Sequence, residues 1–266
     1  MPPGWTLAPG QVASWLGGPS SWRIHYPDQP RLGKRDLGVT ADGRLLAAGQ
    51  YMIDGTSCLV SWLAADPGEP GALEEWIGAL EDLARDRGCT AVVQSRNELG
   101  IGWFGTPLVW DHVVRGLREA GYEPIERWVI MAGDLGSVPP PPKPPYRSLR
   151  VEHRDDPAAL ERATHVWVGA VPAADCTFWG APSVFRDCPG YAAWMTLEAI
   201  DVEEPFHRQG IARYLLTSEM ARLAEQGIRH VLLFTEVGNL PARRLFESLG
   251  FAAGPECWCL GHTLGC

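Results

Sequence analysis

A chain of 266 residues has room for two domains of roughly 120–140 residues, each with its own core. Its 45% apolar content is ordinary, no apolar run approaches the ~20 residues of a membrane span, and the N-terminus lacks a secretion-signal pattern. A formal net charge of −9, with Lys34 and Lys143 the only lysines, argues against broad affinity for nucleic acid or anionic membranes and is compatible with an amine substrate.

In chain order, residues 37–40, the Asp42-Gly43 turn and residues 44–53 read as a hairpin, and Asp54-Gly55 leads into a strand over 57–63. A helix is expected over about 71–87, ended by Gly88, then a strand over 90–94. A second helix, about 107–120, is capped by Gly121, and a last strand runs from 125 to 131. The run Val138-Pro139-Pro140-Pro141-Pro142-Lys143-Pro144-Pro145 can form neither a helix nor an interior strand, and reads as a semi-rigid polyproline spacer. Domains are therefore expected at 1–137 and 148–266, with 138–147 as the linker.

Beyond the linker, short helices are expected over about 158–168 and 182–186. The segment 172–189, with Phe178, Trp179, Phe185 and two cysteines, leaves little room for a hairpin and reads as a substrate-facing loop. Most of the twelve tryptophans belong to cores or interfaces, but Trp103, Phe104, Phe178 and Trp179 lie in Gly/Pro contexts that suit stacking on a ligand. Strands follow over 196–202 and 231–235.

Two motifs carry the chemistry. From Val202 to Leu216 the chain ends a strand, turns tightly through His207-Arg208-Gln209-Gly210 and enters an amphipathic helix at Ile211-Ala212-Arg213. Such a turn leaves backbone N–H groups unpaired at a helix start whose dipole favours negative charge, so its natural guest is a phosphate or pyrophosphate. About thirty residues on, Asn239 can cap a helix with Pro241 in its first turn. Ala242, Leu245, Phe246 and Leu249 share one face of that helix, and Gly250-Phe251 ends it.

Together these motifs resemble those of the GCN5-related N-acetyltransferase (GNAT) family. The first, Gln/Arg-x-x-Gly-x-Gly/Ala, is met at Gly210 and Ala212, and the second, Asn-x-x-Ala-x-x-Leu-Tyr-x-x-x-Gly-Phe, everywhere except at Phe246. The resemblance is good over 194–252 and thin elsewhere. It implies an α/β fold with a mixed (α+β) sheet and acetyl-CoA or another acyl-CoA as co-substrate, its pyrophosphate on the amides of 207–212 and its pantetheine arm between two splayed strands. It implies cofactor contacts at Val202, His207, Arg208, Gln209, Gly210, Ile211, Ala212, Arg213, Asn239 and Phe246. Glu198 falls where family members often carry a glutamate that takes a proton from the amine, and by period-two alternation it shares a face with Trp194, Thr196 and Ile200; an ion-paired edge carboxylate is the plainer reading.

Two departures bear on mechanism. His207 replaces the family's Gln or Arg, and His207 is equally a solvated turn residue. Phe246 stands where a tyrosine often protonates the departing thiolate, and a phenyl ring cannot donate a proton. The first half echoes the second, Leu117-Gly121-Tyr122 answering Leu249-Gly250-Phe251, so the chain reads as two tandem GNAT-like domains. Asp66, Pro67, Glu69 and Pro70 spoil the phosphate turn of the first copy, which is expected to be degenerate.

Cys257, Cys259, His262 and Cys266 offer four soft ligands within ten residues, but Cys-x-Cys is also what an alternating strand gives, and no metal is assigned. Seven cysteines without a paired framework fit a reducing compartment, and the expected location is the cytoplasm. The leading function is N-acetyl transfer from acetyl-CoA to a small-molecule amine in a cleft between the halves, by a monomer or homodimer without membrane association. Alternatives are a GNAT-fold transferase using aminoacyl-tRNA as donor, which the acidic balance counts against, and a non-catalytic acyl-CoA-binding protein.

Overall fold

A computed structural model describes residues 35–42, 44–94, 105–156, 161–180 and 191–265. The chain divides into two compact units. Unit one takes the described residues up to Trp128 and again from Pro255 onward; unit two takes those from Val129 to Gly254. The division differs from the expected boundary in the prolines. The polyproline run is exposed and lies within unit two, anchored at its ends by Val138 and Tyr146, which pack against that unit's core. Proline marks where helix and sheet cannot form; it carries no information about which later strand pairs with which unit.

In unit one, β1 (Arg35–Ala41), β2 (Arg44–Asp54) and β3 (Ser57–Ala65) form an antiparallel meander, and β4 (Ala91–Gln94) adds parallel to β3. Helix α1 (Pro70–Asp86) starts on a proline, tolerated there because a first-turn N–H has no intrahelical acceptor. Its buried face is Ala72, Leu73, Trp76, Ile77, Leu80 and Ala84, the spacing of an amphipathic stripe. The Trp76 indole N–H donates to the Leu37 carbonyl at 2.9 Å, tying the helix to the sheet. Helix α2 (Asp111–Glu119) begins later than expected, because β5 (Thr106–Pro107) is held as a two-residue strand. Strand β6 (Glu123–Asp134) follows.

The last strand, β12 (Ala252–Thr263), pairs antiparallel with β4 and β5. Cys257, Cys259 and Leu260 on it are 0–1% exposed, and Leu260 and Leu264 belong to the core of unit one. Cys-x-Cys here is strand alternation, and burial pushes the Cys257 thiol up to about 12. His262 faces Glu81 at 2.9 Å instead of a metal set, and Cys266 lies outside the described residues.

In unit two, β7 (Leu149–Asp156), β8 (Glu161–Val168), β9 (Val171–Gly180), β10 (Trp194–Val202) and β11 (His230–Glu236) stand in the sheet order β6-β11-β10-β9-β8-β7. Helices α3 (Ile211–Glu225) and α4 (Leu240–Ser248) contribute Ile211, Leu215, Leu216, Met220, Leu223 and Phe246 to the core. Two sequence expectations are corrected. The helix expected over 158–168 is strand from Glu161, where Thr164 and Val166 alternate inward and the β-branched residues suit a pleated surface. The loop expected over 172–189 begins as strand β9, so the hairpin judged to lack room exists, turning at Gly169 (φ 63°), and Phe178 on it is fully buried. The expected helix over 182–186, with Phe185, Trp103 and Phe104, lies outside the described residues.

Replacing Leu260 by Ala should lower unfolding free energy by about 2–5 kcal/mol through loss of apolar contact and the cavity left behind. Urea denaturation with a probe in unit one, such as Trp76 emission, reads this directly.

Candidate functional site

The site begins where two parallel strands part. β10 and β11 pair from Trp194↔His230 to Leu197↔Leu233 and no further. Beyond that, residues 198–202 and 234–236 present main-chain edges that the partner strand does not fill. On its other side β10 pairs with β9, where Leu197 faces Phe178 and Ala199 faces Thr177. Glu198 is therefore an inserted residue, a β-bulge, seated where the parallel ladder ends.

The bulge resets side-chain parity. Leu197/Phe178, Ile200/Cys176 and Val202/Ala174 all face the core, while Thr196/Trp179, Ala199/Thr177 and Asp201/Asp175 face the opposite side. Ile200 thus does not share a face with Trp194 and Thr196, contrary to uninterrupted alternation; one extra residue flips everything after it. Glu198 is half-buried, and burial alone raises its carboxyl above the ordinary carboxylate range.

The turn after β10 is a pocket of donors. One 3-10 turn, Glu204–Phe206, uses the Phe206 and His207 amides internally, at 2.8 and 3.1 Å. The backbone amides of Arg208, Gln209, Gly210, Ile211, Ala212 and Arg213 find no acceptor among the described residues. Arg208 (φ 57°) and Gly210 (φ 84°) are left-handed, the alternation that turns successive N–H groups into one concavity. A Cβ built on Gly210 would meet nothing within 4 Å, so the space above these donors is open. The first turn of α3 holds no acid and does hold Arg213, an unfavourable charge for a helix N-terminus unless an anion sits there.

Side chains brace this turn. His207 donates through Nε2 to the Val202 carbonyl at 2.7 Å, closing the turn back onto the strand, and a carbonyl partner fixes the proton on that nitrogen. Gln209 donates to the Pro205 carbonyl at 2.8 Å, and Phe206 meets Tyr146 edge-on with ring centroids 6.1 Å apart. Sequence reasoning missed Tyr146, which sits at the end of the proline run and has no motif around it.

The second motif has a local structural role. The Asn239 side chain accepts from the Ala242 amide at 3.3 Å, capping α4. Phe246 is 4% exposed and packs on Phe251, so this ring is core. Arg213, in the first turn of α3, donates to Ser248 of α4 at 2.6 Å, and Arg243 of α4 donates to the Val237 carbonyl at 2.9 Å. Among the described residues no group of three or more His, Cys, Asp or Glu side chains could hold a metal, and no helix is long and apolar enough to cross a membrane.

A split strand pair, a bulged carboxylate and an anion-receiving helix start suit a phosphate-bearing acyl donor and a proton-bearing acceptor. Comparison with known proteins agrees. Residues 144–251 match the acetyltransferase (GNAT) family. No curated protein is a significant sequence match. Among solved structures, the chain is similar to a tandem GNAT protein from the clavulanic acid biosynthesis pathway (15% identity, 91% of this chain and 86% of that one, TM-score 0.66). It is also similar to a GCN5-related N-acetyltransferase from Sphaerobacter thermophilus (16% identity, 84% and 78%, TM-score 0.61). A GCN5-related glucosamine N-acetyltransferase region of a fungal multi-domain β-N-acetylglucosaminidase matches 94% of this chain and 36% of that one (11% identity, TM-score 0.72). At these identities the likeness is one of fold. With the family match over 144–251 and the fold shared along most of its length, the chain carries an acetyltransferase (GNAT) domain in its second half within a fold like that of tandem GNAT proteins.

Proposed function

We propose that the protein transfers an acetyl group from acetyl-CoA to a primary amine of a small molecule. The observation that carries this reading is a coincidence on one strand: β10 parts from β11 at the residue where Glu198 is inserted, then runs into a turn with six consecutive unpartnered amides. The residues fit coenzyme A. The amides from Arg208 to Arg213 and the α3 dipole would receive the pyrophosphate, and Gly210 leaves room for it. Arg208 in the turn and Arg213 in the first turn of α3 supply positive charge there. Bound there, acetyl-CoA supplies an activated thioester carbonyl.

The chain's own residues do the rest. The edge of β10 that β11 leaves unpaired, along 198–201, offers hydrogen bonds to an amide-bearing arm lying between the strands. Glu198 accepts the proton that the amine nitrogen loses as the N–C bond forms, directly or through a water. Desolvation strengthens its proton affinity and brings it closer to the working range of a base near neutral pH. Phe246 offers no proton, so the thiolate departs without acid help from that position. Holding donor and amine in line contributes the remaining acceleration. The cytoplasm is the compartment where acetyl-CoA and reduced cysteines coincide.

Calorimetric titration with acetyl-CoA should show micromolar binding to the native protein. Gly210→Glu, which sets a carboxylate in the open space, should abolish it without unfolding the protein; undiminished binding to that variant would remove the phosphate assignment. Gly210→Ala meets no atom and should cost only the left-handed strain, about 1 kcal/mol.

Glu198→Gln should reduce kcat about 10²- to 10⁴-fold. The base must be ionised, so native kcat/KM should fall as pH drops through the raised Glu198 value, above the ~4.3 of a free glutamate. That acid limb should vanish in the Gln variant. The linked stability has the opposite sense: the folded state binds this proton more tightly than the unfolded chain, so native stability gains as pH falls through the raised value.

A further inference from the structure

The proline run does not join the two units, for Val138 and Tyr146 at its ends both pack on the core of unit two. Residues 139–145 are exposed throughout, and among the described residues no backbone hydrogen bond holds them. Six of those seven residues are prolines, each with φ fixed by its ring and no N–H to give. Val138 (φ −69°, ψ 132°) already has the polyproline II conformation, and every peptide bond of the run is trans.

The length of the run matches a distance in the unit. Leu135 donates its amide to the Arg229 carbonyl at 2.8 Å, at the level where β11 begins beside Trp194. Tyr146 meets Phe206, just past the other end of β10. From Trp194 to Val202 is eight steps of strand, about 26 Å at ~3.3 Å each. From Val138 to Tyr146 is eight steps of polyproline II, about 25 Å at ~3.1 Å each. A flexible chain of that size averages only about 16 Å between its ends. The run is thus close to fully drawn out along β10, and a softer sequence would have to be stretched at an entropic cost.

The far end of the run meets the phosphate turn. Phe206 is the one residue of 203–210 that is not exposed, and its ring packs against the core. The Tyr146 ring stands edge-on to it, centroids 6.1 Å apart and planes at 89°, a favourable aromatic geometry. The Phe206 and His207 amides close the 3-10 turn, and the unpartnered amides begin at the next residue, Arg208.

We infer that the proline run is a taut strap and that Tyr146 at its end is a positioning residue for the acyl donor. Tyr146 holds Phe206, and through Phe206 the amides that receive the pyrophosphate. The ligand in this inference rests on the acetyl-transfer reading; the strap's hold on the turn is a property of the protein alone.

Two variants of the full chain test it: Tyr146→Ala, and Pro140→Gly combined with Pro142→Gly and Pro144→Gly, which slackens the strap at exposed positions. Each should speed amide hydrogen exchange at Phe206 and His207 about tenfold or more, leaving β8 and β9 unchanged. Each should also weaken acetyl-CoA binding in calorimetric titration about fivefold or more, because the amides are no longer held in place before the ligand arrives. In the strap variant KM for acetyl-CoA should rise while kcat stays within about twofold, a split that general loss of stability would not give. Tyr146→Phe keeps the ring edge and should restore native exchange and affinity. Unchanged exchange at Phe206 and His207, exchange that rises equally across unit two, or native affinity in either variant would overturn the proposal. If the native protein binds no acetyl-CoA, the acetyl-transfer reading falls and exchange alone decides the strap: a rise confined to the turn retains it, and any other pattern discards it.

Discussion

Main-chain N–H and C=O groups inside a sheet demand partners, and β10 and β11 satisfy one another for only four residues each. Much of the geometry of the second unit follows from that interruption. The strands must diverge, the bulge at Glu198 accommodates the divergence on the β9 side, and the next residues swing toward the turn that opens α3. What the sheet leaves unmatched is offered to a ligand with amide groups, and the turn beyond offers donors to a ligand with phosphates. The same interruption places a carboxylate at the apex, partly stripped of water. In the proposed reaction, binding and proton transfer are thus two outcomes of one missing stretch of ladder.

Unit one repeats this device in its own strands. β3 and β4 pair in parallel from Ser57↔Ala91 to Val60↔Gln94, again four pairs, and the register with β2 slips so that Ser61 is the inserted residue. Ser61 therefore holds the place of Glu198. The turn that follows has been rebuilt against anions: the Gly68 amide is taken by Asp66 at 2.9 Å, and Arg44 is committed to Asp66 and Glu69 at 3.3 and 2.6 Å. A serine lacks the proton affinity of a carboxylate, and a turn of acids and prolines lacks free donors. The four-pair parallel ladder and the inserted residue recur in both units, while the carboxylate and the open turn of the second are replaced in the first by Ser61 and a turn of acids and prolines.

How far the sequence revealed this depends on whether the cause is local. The Gly210 turn, the Asn239 cap and the strand–helix alternation on both sides are set by residues within a few positions of one another, and the structure has them where local rules place them. The bulge has no residue signature, so the alternation drawn through Glu198 carried on one residue too far and put Ile200 on the wrong face. β8 and β9 were misread because their inward residues include Thr164, Ala173, Ala174 and Cys176, too small and mixed to announce a strand, and because Pro172 sits near the hairpin. In sequence Thr196 is one strand threonine among several; its burial without a partner among the described residues distinguishes it. The Asp175–Asp201 juxtaposition joins residues 26 positions apart and depends on register alone.

The closing strand has a bearing on how the protein comes into being. Leu260 and Leu264 complete the core of unit one, yet they are made after all of unit two. At ~5–20 residues per second, the nascent first unit spends several seconds or more with an unfilled core and an open strand edge. An emerging chain in that condition is a substrate for chaperones and an opportunity for aggregation. Slow codons or stalled synthesis in the second half would therefore damage the first half, although its own residues had long since been made.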